Sequence, residues 1–241
     1  MNCPLQCAKV LRCADAKSTK TSSTKPQHLL VESKNDRHAI WALCQQFQLP
    51  KTFSVEVPQE EGTEGVEALL NGLPERLKAE NLRTLGIVVD ADRNLSGRWQ
   101  SLKDKLSSIG YRDIPQSPPP EGWVCTPSDP YLPRVGVWLM PNNQLPGMLE
   151  DFVAYLIPPG DTLHPKAEAI LQELEQAGLN RYSLIHHPKA LIHTWLAWQK
   201  TPAMPMGQAI TAQVLRCDCP IALIFIEWLK HLFELIARSA E

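Results

Sequence analysis

The sequence predicts an α/β fold: a mostly parallel, Rossmann-like central sheet flanked by helices, with a helical extension at the C-terminal end. Short apolar runs of strand character alternate with segments in which apolar residues recur every three or four positions. This β-α-β-α-β-α order is typical of a parallel sheet whose strands are joined by helices. From about residue 160 to residue 241 the patterns are helical throughout.

The first elements are two strands, each followed by a helix. An apolar run at 28–32 predicts a strand, and the spacing of apolar residues over 35–48 predicts a helix. A second strand is expected at 53–57. The glycine-containing turn at 62–65 then starts a second helix, in which leucines recur at the helical period.

The alternation continues through the middle of the chain. The run 85–92 is apolar up to its closing acids and predicts a third strand, and 95–109 presents apolar residues on one helical face. The stretch 115–120 is too rich in proline for a helix or strand and marks a surface connection. Two further strands are expected near 122–126 and 134–140.

The C-terminal region is expected to contain four helices, at 165–177, 188–200, 205–215 and 219–238. The last of them is the most apolar segment of the chain, but four polar residues interrupt it at helical spacing: Glu227, Lys230, His231 and Glu234. Such a polar stripe indicates a docked or interface helix and argues against a membrane span. We therefore expect no membrane contact.

Composition suggests three regions: a disordered leader at 1–26, an α/β domain at 27–160 and a helical extension at 161–241 that packs on it. The formal charge of −2 and the pI near 6.4 give no overall basic footprint, so a nucleic acid would have to bind a local patch. Seven cysteines without a C-x-x-C pair are typical of reduced thiols in a cytoplasm.

Two of the predicted strands end abruptly at carboxylates. Glu32 ends the first, and Asp90 and Asp92 end the third. Carboxyl ends of neighbouring parallel strands open into one crevice, so these acids are expected to converge. At strand spacing Asp90 and Asp92 would point the same way and form an oxygen-only site suited to Mg²⁺. Acids at strand ends also cap helices, which is the simpler interpretation of each motif alone.

A strand ending in glutamate, then a helix, then a strand ending in Asp-x-Asp resembles the topoisomerase-primase (Toprim) domain. The chain is most similar to small Toprim-like proteins of prokaryotes, related in fold to the OLD-type nuclease domains attached to some phage-defence ATPases. The resemblance implies that Glu32 acts as general base or acid and that Asp90 and Asp92 bind metal. It departs at Ser33, where the family has glycine.

A third acidic segment follows the strand predicted at 134–140. Glu150 and Asp151 stand at the start of a helix, and in the related family an acidic residue of this region completes the metal site. Either residue is therefore a candidate ligand for Mg²⁺ or Mn²⁺, and with Glu32 it would hold the second ion of a two-metal clamp. Two acids in a first helical turn also suit the helix dipole without any metal.

Four basic residues follow the acidic motifs and are candidates for nucleic-acid binding: Lys34, Arg37, Arg93 and Arg98. They would contact phosphates at the mouth of the crevice. A solvated helix face with ordinary salt bridges is the simpler explanation for any single one of them.

The leading hypothesis from sequence is a Mg²⁺-dependent nuclease or nicking enzyme. One alternative is a catalytically silent binding or regulatory module that serves a partner such as a defence-system ATPase. Another is a structural protein that dimerises through its apolar C-terminal helix.

Overall fold

The computed structural model describes residues 26–58 and 65–235. Residues 1–25 of the expected leader and residues 62–64 of the turn at 62–65 thus lie outside the described residues. The strands are β1 (Gln27–Val31), β2 (Ser54–Glu56), β3 (Thr84–Asp90), β4 (Trp123–Cys125) and β5 (Arg134–Met140). The α-helices are α1 (Lys34–Gln46), α2 (Val66–Leu77), α3 (Leu95–Ile109), α4 (Leu149–Ala154), α5 (Leu163–Gln176), α6 (His187–Ala197), α7 (Met206–Thr211) and α8 (Pro220–Phe233).

The five described strands form one sheet in the order β2-β1-β3-β5-β4. All neighbours pair in parallel except β4 and β5, which are antiparallel, so the predicted α/β class and mostly parallel sheet are confirmed. The chain leaves β1 for β2 on one side and later returns to β3 on the other. The crevice beyond the carboxyl ends of β1 and β3 is therefore the topological switch point, the usual ligand position in such sheets.

Alternation along the strands divides the interior into two layers. Leu30, Ile87 and Val89 face the layer that contains α2 and α3. Leu29 and Val88 face the opposite layer, which contains α1, α4 and the helices that follow it. A strand buried on both faces needs apolar residues at consecutive positions, which explains the unbroken apolar runs in β1 and β3.

The C-terminal helix α8 lies directly on the sheet. Gly86 in β3 and Gly136 in β5 leave room for Leu232, because a Cβ atom added at either glycine would come within 3.0 Å of that side chain. Phe233 stacks on Phe53, with 4.1 Å between ring centroids. The apolar side of α8 is thus used inside the chain, although Leu223 and Ile224 remain exposed.

Helix α8 is shorter than the segment predicted at 219–238. It ends where Glu234 adopts a left-handed conformation, with φ of 51°. Within the two described ranges, no helix combines the length and the apolar character that crossing a membrane requires.

Candidate metal centre

Glu32 and Asp90 meet at the switch point of the sheet. Glu32 follows the last residue of β1, and Asp90 is the last residue of β3. The Asp90 amide donates a hydrogen bond to Oε1 of Glu32 at 2.7 Å. The convergence predicted from two strand ends 58 residues apart is therefore present in the structure.

Ser33 and Asp36 cap helix α1 reciprocally. The Asp36 amide donates to Oγ of Ser33, while the amide and hydroxyl of Ser33 donate to Oδ2 of Asp36. This capping box fixes the buried Asp36 carboxylate next to Glu32. Ser33 has φ of −140° and ψ of 169°, an extended conformation that any residue can adopt. Its backbone does not require glycine.

Glu150 enters the same cleft from the first turn of α4. Its side chain is only 5% exposed, and Nζ of Lys189 lies 3.5 Å from its Oε1. The adjacent Leu149 amide donates to Oδ1 of Asp90 at 3.0 Å, which ties the start of α4 to the end of β3. The Asp90 carboxylate is thus positioned by a backbone contact from the neighbouring element.

These acids line a cleft of about 200 Å³, together with Ser33, Asn35, Gly65 and Leu149. Among the described residues that line it, the one cationic group is the ammonium of Lys189, which reaches in from α6. Ionisation of Glu32, Asp36, Asp90 and Glu150 would therefore leave an excess of negative charge in a largely desolvated space.

The pKa values of three of these acids are raised because the acids are buried and close to one another. Burial raises the pKa of Asp90 well above its usual value, and the carboxylates of Asp36, Glu32, Glu150 and Asp92 raise it further. Burial raises the pKa of Glu32 to about 7, despite the stabilising Asp90 amide. Burial likewise raises the pKa of Asp36 to about 6, with an added contribution from Glu150. The cluster needs protons or cations near neutral pH.

Asp92 occupies a different position from the one expected at strand spacing. Its φ of 50° ends the strand alternation, and its backbone forms an antiparallel bridge with Gly147. Its carboxylate accepts a hydrogen bond from Arg98 at 2.5 Å and lines an adjoining cleft of about 520 Å³. Asp90 lines the first cleft and Asp92 lines the adjoining one, so the two residues do not form one paired site.

Asp151 also stands apart from Asp90. Its Oδ2 accepts the Met148 amide at 2.8 Å, so the residue caps α4 as helix-dipole arguments allow. It lines a separate cavity that contains His187. Of the two acids proposed for this region, the structure thus brings Glu150 to the Asp90 cluster and leaves Asp151 beside it.

The four predicted basic residues have different surroundings. Arg98 donates from Nε to the Asp90 carbonyl and from its terminal nitrogen to Asp92. The guanidinium of Arg37 lies over the Trp41 ring, 5.1 Å from its centroid. Lys34 is exposed at the first turn of α1, and Arg93 is exposed in the cleft next to Asp92.

Sequence reasoning missed two members of the site. Asp36 falls in the first turn of the helix expected at 35–48, where an acid is usually a solvated cap. In the structure Asp36 is buried and lines the same cleft as Glu150, which no local pattern reveals. Lys189 comes from a helix 157 residues beyond Glu32, and nothing in its neighbourhood distinguishes it from a surface lysine.

As the side chains lie, the acids form a cluster and not a finished coordination sphere. Among the described residues there is no group of three or more His, Cys, Asp or Glu side chains placed to hold a metal ion. Glu32 and Asp90 direct one oxygen each at a backbone amide. The donor set is nevertheless all oxygen, which is the chemistry that Mg²⁺ and Mn²⁺ prefer.

Comparison with known proteins identified one relationship. A family model described as "Protein of unknown function (DUF3226)" matches residues 26–234, nearly the whole described chain. No curated protein and no solved structure matched.

Proposed function

The chain belongs to the DUF3226 family of proteins of unknown function, and we propose that it is a Toprim-like enzyme that hydrolyses phosphodiester bonds of nucleic acid with Mg²⁺ or Mn²⁺. The observation that carries this proposal is the gathering of Glu32, Asp36, Asp90 and Glu150 around one cleft at the switch point. A structural role alone does not account for four largely buried carboxylates facing a single ammonium group, because such a cluster is costly to bury.

The residues fit a hard divalent cation by their chemistry. Besides burial, the other three carboxylates of the cluster all raise the pKa of Asp90. Asp90 and Glu150 would be the ligands of the ion, and the carboxylates of Glu32 and Asp36 would lie beside them in the same cleft. A bound ion would stabilise charge on a scissile phosphate oxygen and lower the pKa of a coordinated water.

Glu32 is suited to move a proton. Its Oε1 is occupied by the Asp90 amide, so a proton would be taken up at Oε2. A carboxyl group whose pKa is about 7 exchanges protons readily at neutral pH, which is the range in which a general base is most effective. The backbone hydrogen bond keeps the carboxylate oriented towards the cleft while it does so.

Ser33 does not conflict with this role. The helix cap that it forms holds Asp36 in the cluster, and its extended backbone follows the same path that a glycine could follow. The departure from the Toprim pattern therefore replaces a small residue by a capping residue and leaves the acids in position.

The residues of the adjoining cleft suit a polyanionic substrate. It contains Arg93, Arg98 and the exposed start of helix α3, where the Asn94 side chain caps the Gly97 amide. Arg98 joins the two clefts, because it contacts both the Asp90 carbonyl and the Asp92 carboxylate. A phosphate backbone lying along this cleft would meet the guanidinium groups of Arg93 and Arg98.

Cleavage assays test the proposal. Supercoiled plasmid, single-stranded DNA and RNA would be incubated with Mg²⁺ or Mn²⁺ and with the wild type, Glu32→Gln, Asp90→Asn or the control Asp104→Asn, which removes an exposed acid of α3. We expect the wild type and control to cleave at least one substrate and Glu32→Gln to be slower by about 100-fold or more. Undiminished cleavage by Asp90→Asn would refute the site.

A second candidate function is a catalytically silent module that binds a protein or nucleic-acid partner, such as the defence-system ATPase suggested by the family resemblance. One observation favours this function: among the described residues, no three or more His, Cys, Asp or Glu side chains are placed to hold a metal ion. A folded wild type that cleaves none of the three substrates with either ion would favour this function over hydrolysis.

A further inference from the structure

One positively charged side chain shares the cleft with the buried acids. Lys189 lines the cleft together with Glu150, and its Nζ lies 3.5 Å from Oε1 of that glutamate. The side chain of Glu150 is 5% exposed, whereas that of Lys189 is 49% exposed. The carboxylate is therefore enclosed by the fold, and the ammonium group reaches it from the solvent side.

The start of α6 is fixed on α5, so the backbone that carries Lys189 has little freedom to move. His187 is the first residue of α6, and its Nδ1 and Nε2 lie 2.7 Å and 3.1 Å from oxygens of Glu175 and Glu168. Both glutamates belong to α5. An exchange of cations in the cleft therefore requires movement of the Lys189 side chain and leaves the helix in place.

A divalent ion and this ammonium group compete for the same carboxylate. Mg²⁺ binds carboxylate oxygens at about 2.1 Å, so an ion bound to Oε1 of Glu150 would lie within about 6 Å of Nζ of Lys189. Two positive charges at this separation repel each other in a cleft lined by largely buried acids. Lys189 is the partner that leaves, because a solvent-exposed ion pair contributes little free energy and a lysine side chain is flexible.

The acids of the cleft are engaged in contacts that a metal ion would have to replace. Oε1 of Glu32 and Oδ1 of Asp90 accept backbone amides at 2.7 Å and 3.0 Å, and Oε1 of Glu150 faces the ammonium group at 3.5 Å. The contact with Lys189 is the longest of the three, and its donor is half exposed. It is therefore the first contact that a metal ion entering the cleft would replace.

On the basis of the proposed function, which makes Asp90 and Glu150 the ligands of a divalent ion, we propose that Lys189 is an autoinhibitory counterion of this cleft. Its ammonium group compensates the charge of Glu150, and the ion binds only after displacing it. Lys189 thereby lowers the affinity of the cleft for Mg²⁺ and Mn²⁺ and stabilises the metal-free protein. Arg98 does not share this role, because its guanidinium is held by the Asp90 carbonyl and the Asp92 carboxylate.

The test is the binding of Mn²⁺ to the whole chain, with the free ion measured by electron paramagnetic resonance. Lys189→Met removes the charge and keeps a long side chain, whereas Lys189→Arg keeps a cation. Lys166→Met is the matched control, because it removes an exposed ammonium group from α5. Glu150→Gln, alone and combined with Lys189→Met, separates competition for this carboxylate from the general effect of a nearby positive charge. Glutamine keeps an oxygen that can bind the ion.

We expect Lys189→Met to bind Mn²⁺ at least about 3-fold more tightly than wild type, and Lys189→Arg and Lys166→Met to stay within about 2-fold of the wild-type affinity. In the Glu150→Gln background, the gain from Lys189→Met should be less than about 2-fold. The metal-free melting temperature of Lys189→Met should fall, because the buried acids lose their counterion.

Unchanged or weaker binding by Lys189→Met would overturn the counterion role and leave the metal site of the proposed function in place. An equal gain with and without the Glu150 carboxylate would also overturn it, because the gain would then be a general charge effect. If neither the wild type nor Lys189→Met binds Mn²⁺, both the counterion role and the metal-dependent function are refuted. None of these outcomes depends on cleavage of a substrate.

Discussion

The backbone amide of Asp90 donates a hydrogen bond to the carboxylate of Glu32 at 2.7 Å, so the ends of two central strands are joined through an acidic side chain. This contact orients Glu32, whose pKa is raised chiefly by burial and further by the carboxylates of Asp36 and Asp92. The two residues are consequently coupled: a change at either one alters the charge and the position of the other.

Removal of the central charge should stabilise the metal-free protein. We expect Asp90→Asn to raise the free energy of unfolding by about 1–2 kcal/mol at pH 8, because the cluster loses one of its mutually repelling carboxylates. The amide oxygen can still accept the Leu149 hydrogen bond. For a chain of this size the melting temperature should rise by about 2–8 °C, measured by calorimetry in a chelating buffer.

The same variant should lose the stabilising effect of Mg²⁺. Asp104→Asn, the exposed control, should keep both the wild-type melting temperature and its response to the ion. An Asp90→Asn protein that is less stable than wild type without metal would contradict the view that the cluster is electrostatically strained.

Stability should fall as pH rises through the acidic range. The folded-state pKa of Glu32 is raised from 4.5 to about 7, so between these values the folded protein binds more protons than the unfolded chain. Deprotonation above about pH 4.5 then favours unfolding, and this contribution is complete above about pH 7. Mg²⁺ should stabilise the folded protein increasingly as pH rises, because deprotonated carboxylates bind the ion more strongly.

Urea unfolding from pH 4.5 to pH 8 measures this effect as the difference between wild type and Glu32→Gln. The difference should grow in favour of the variant with rising pH and shrink on addition of Mg²⁺. A difference that does not change with pH would show that Glu32 titrates normally in the folded protein.

Variants at position 33 distinguish the helix-capping role of Ser33 from a role in catalysis. Ser33→Ala should cost about 1 kcal/mol of stability because it removes the side-chain cap of α1, whereas Ser33→Gly should cost only a few tenths of a kcal/mol. Denaturant unfolding of both variants measures these costs. Nuclease activity of Ser33→Gly should be at least that of wild type, and a loss of activity in the glycine variant would show that the hydroxyl contributes to the site.

The sheet should not tolerate a methyl group beneath α8. A Cβ at Gly136 would lie 2.7 Å from Cδ1 of Leu232, so Gly136→Ala should destabilise the protein by about 1–3 kcal/mol. Gly72→Ala in α2 is the control, because its nearest contact would be 3.9 Å away and alanine favours helices. Thermal unfolding should show opposite shifts for the two variants.

Elements with strong local periodicity could be predicted from the sequence. The helix expected at 95–109 and the strand expected at 134–140 have the predicted bounds in the structure, because their apolar residues recur at the helical or strand period. Element boundaries that depend on backbone geometry were predicted less accurately. Helix α8 stops at the left-handed Glu234, five residues before the expected boundary at 238 when counted from Phe233.

The candidate site could be predicted where it depends on topology. Glu32 and Asp90 converge because both end central parallel strands. Asp92 differs, because its positive φ moves it from the strand into the adjoining cleft. Asp36 and Lys189 could not be assigned, since their roles arise from helices that pack together only in the folded chain.

The position of Leu232 against Gly86 and Gly136 has a consequence during synthesis. The face of β3 and β5 that α8 covers stays bare until residue 232 has left the ribosome. The sheet can pair earlier, but its second face is covered only after α8 has emerged. Truncation or stalling shortly before residue 232 would release a chain with an exposed apolar sheet face, which is the kind of surface that chaperones bind and that promotes aggregation.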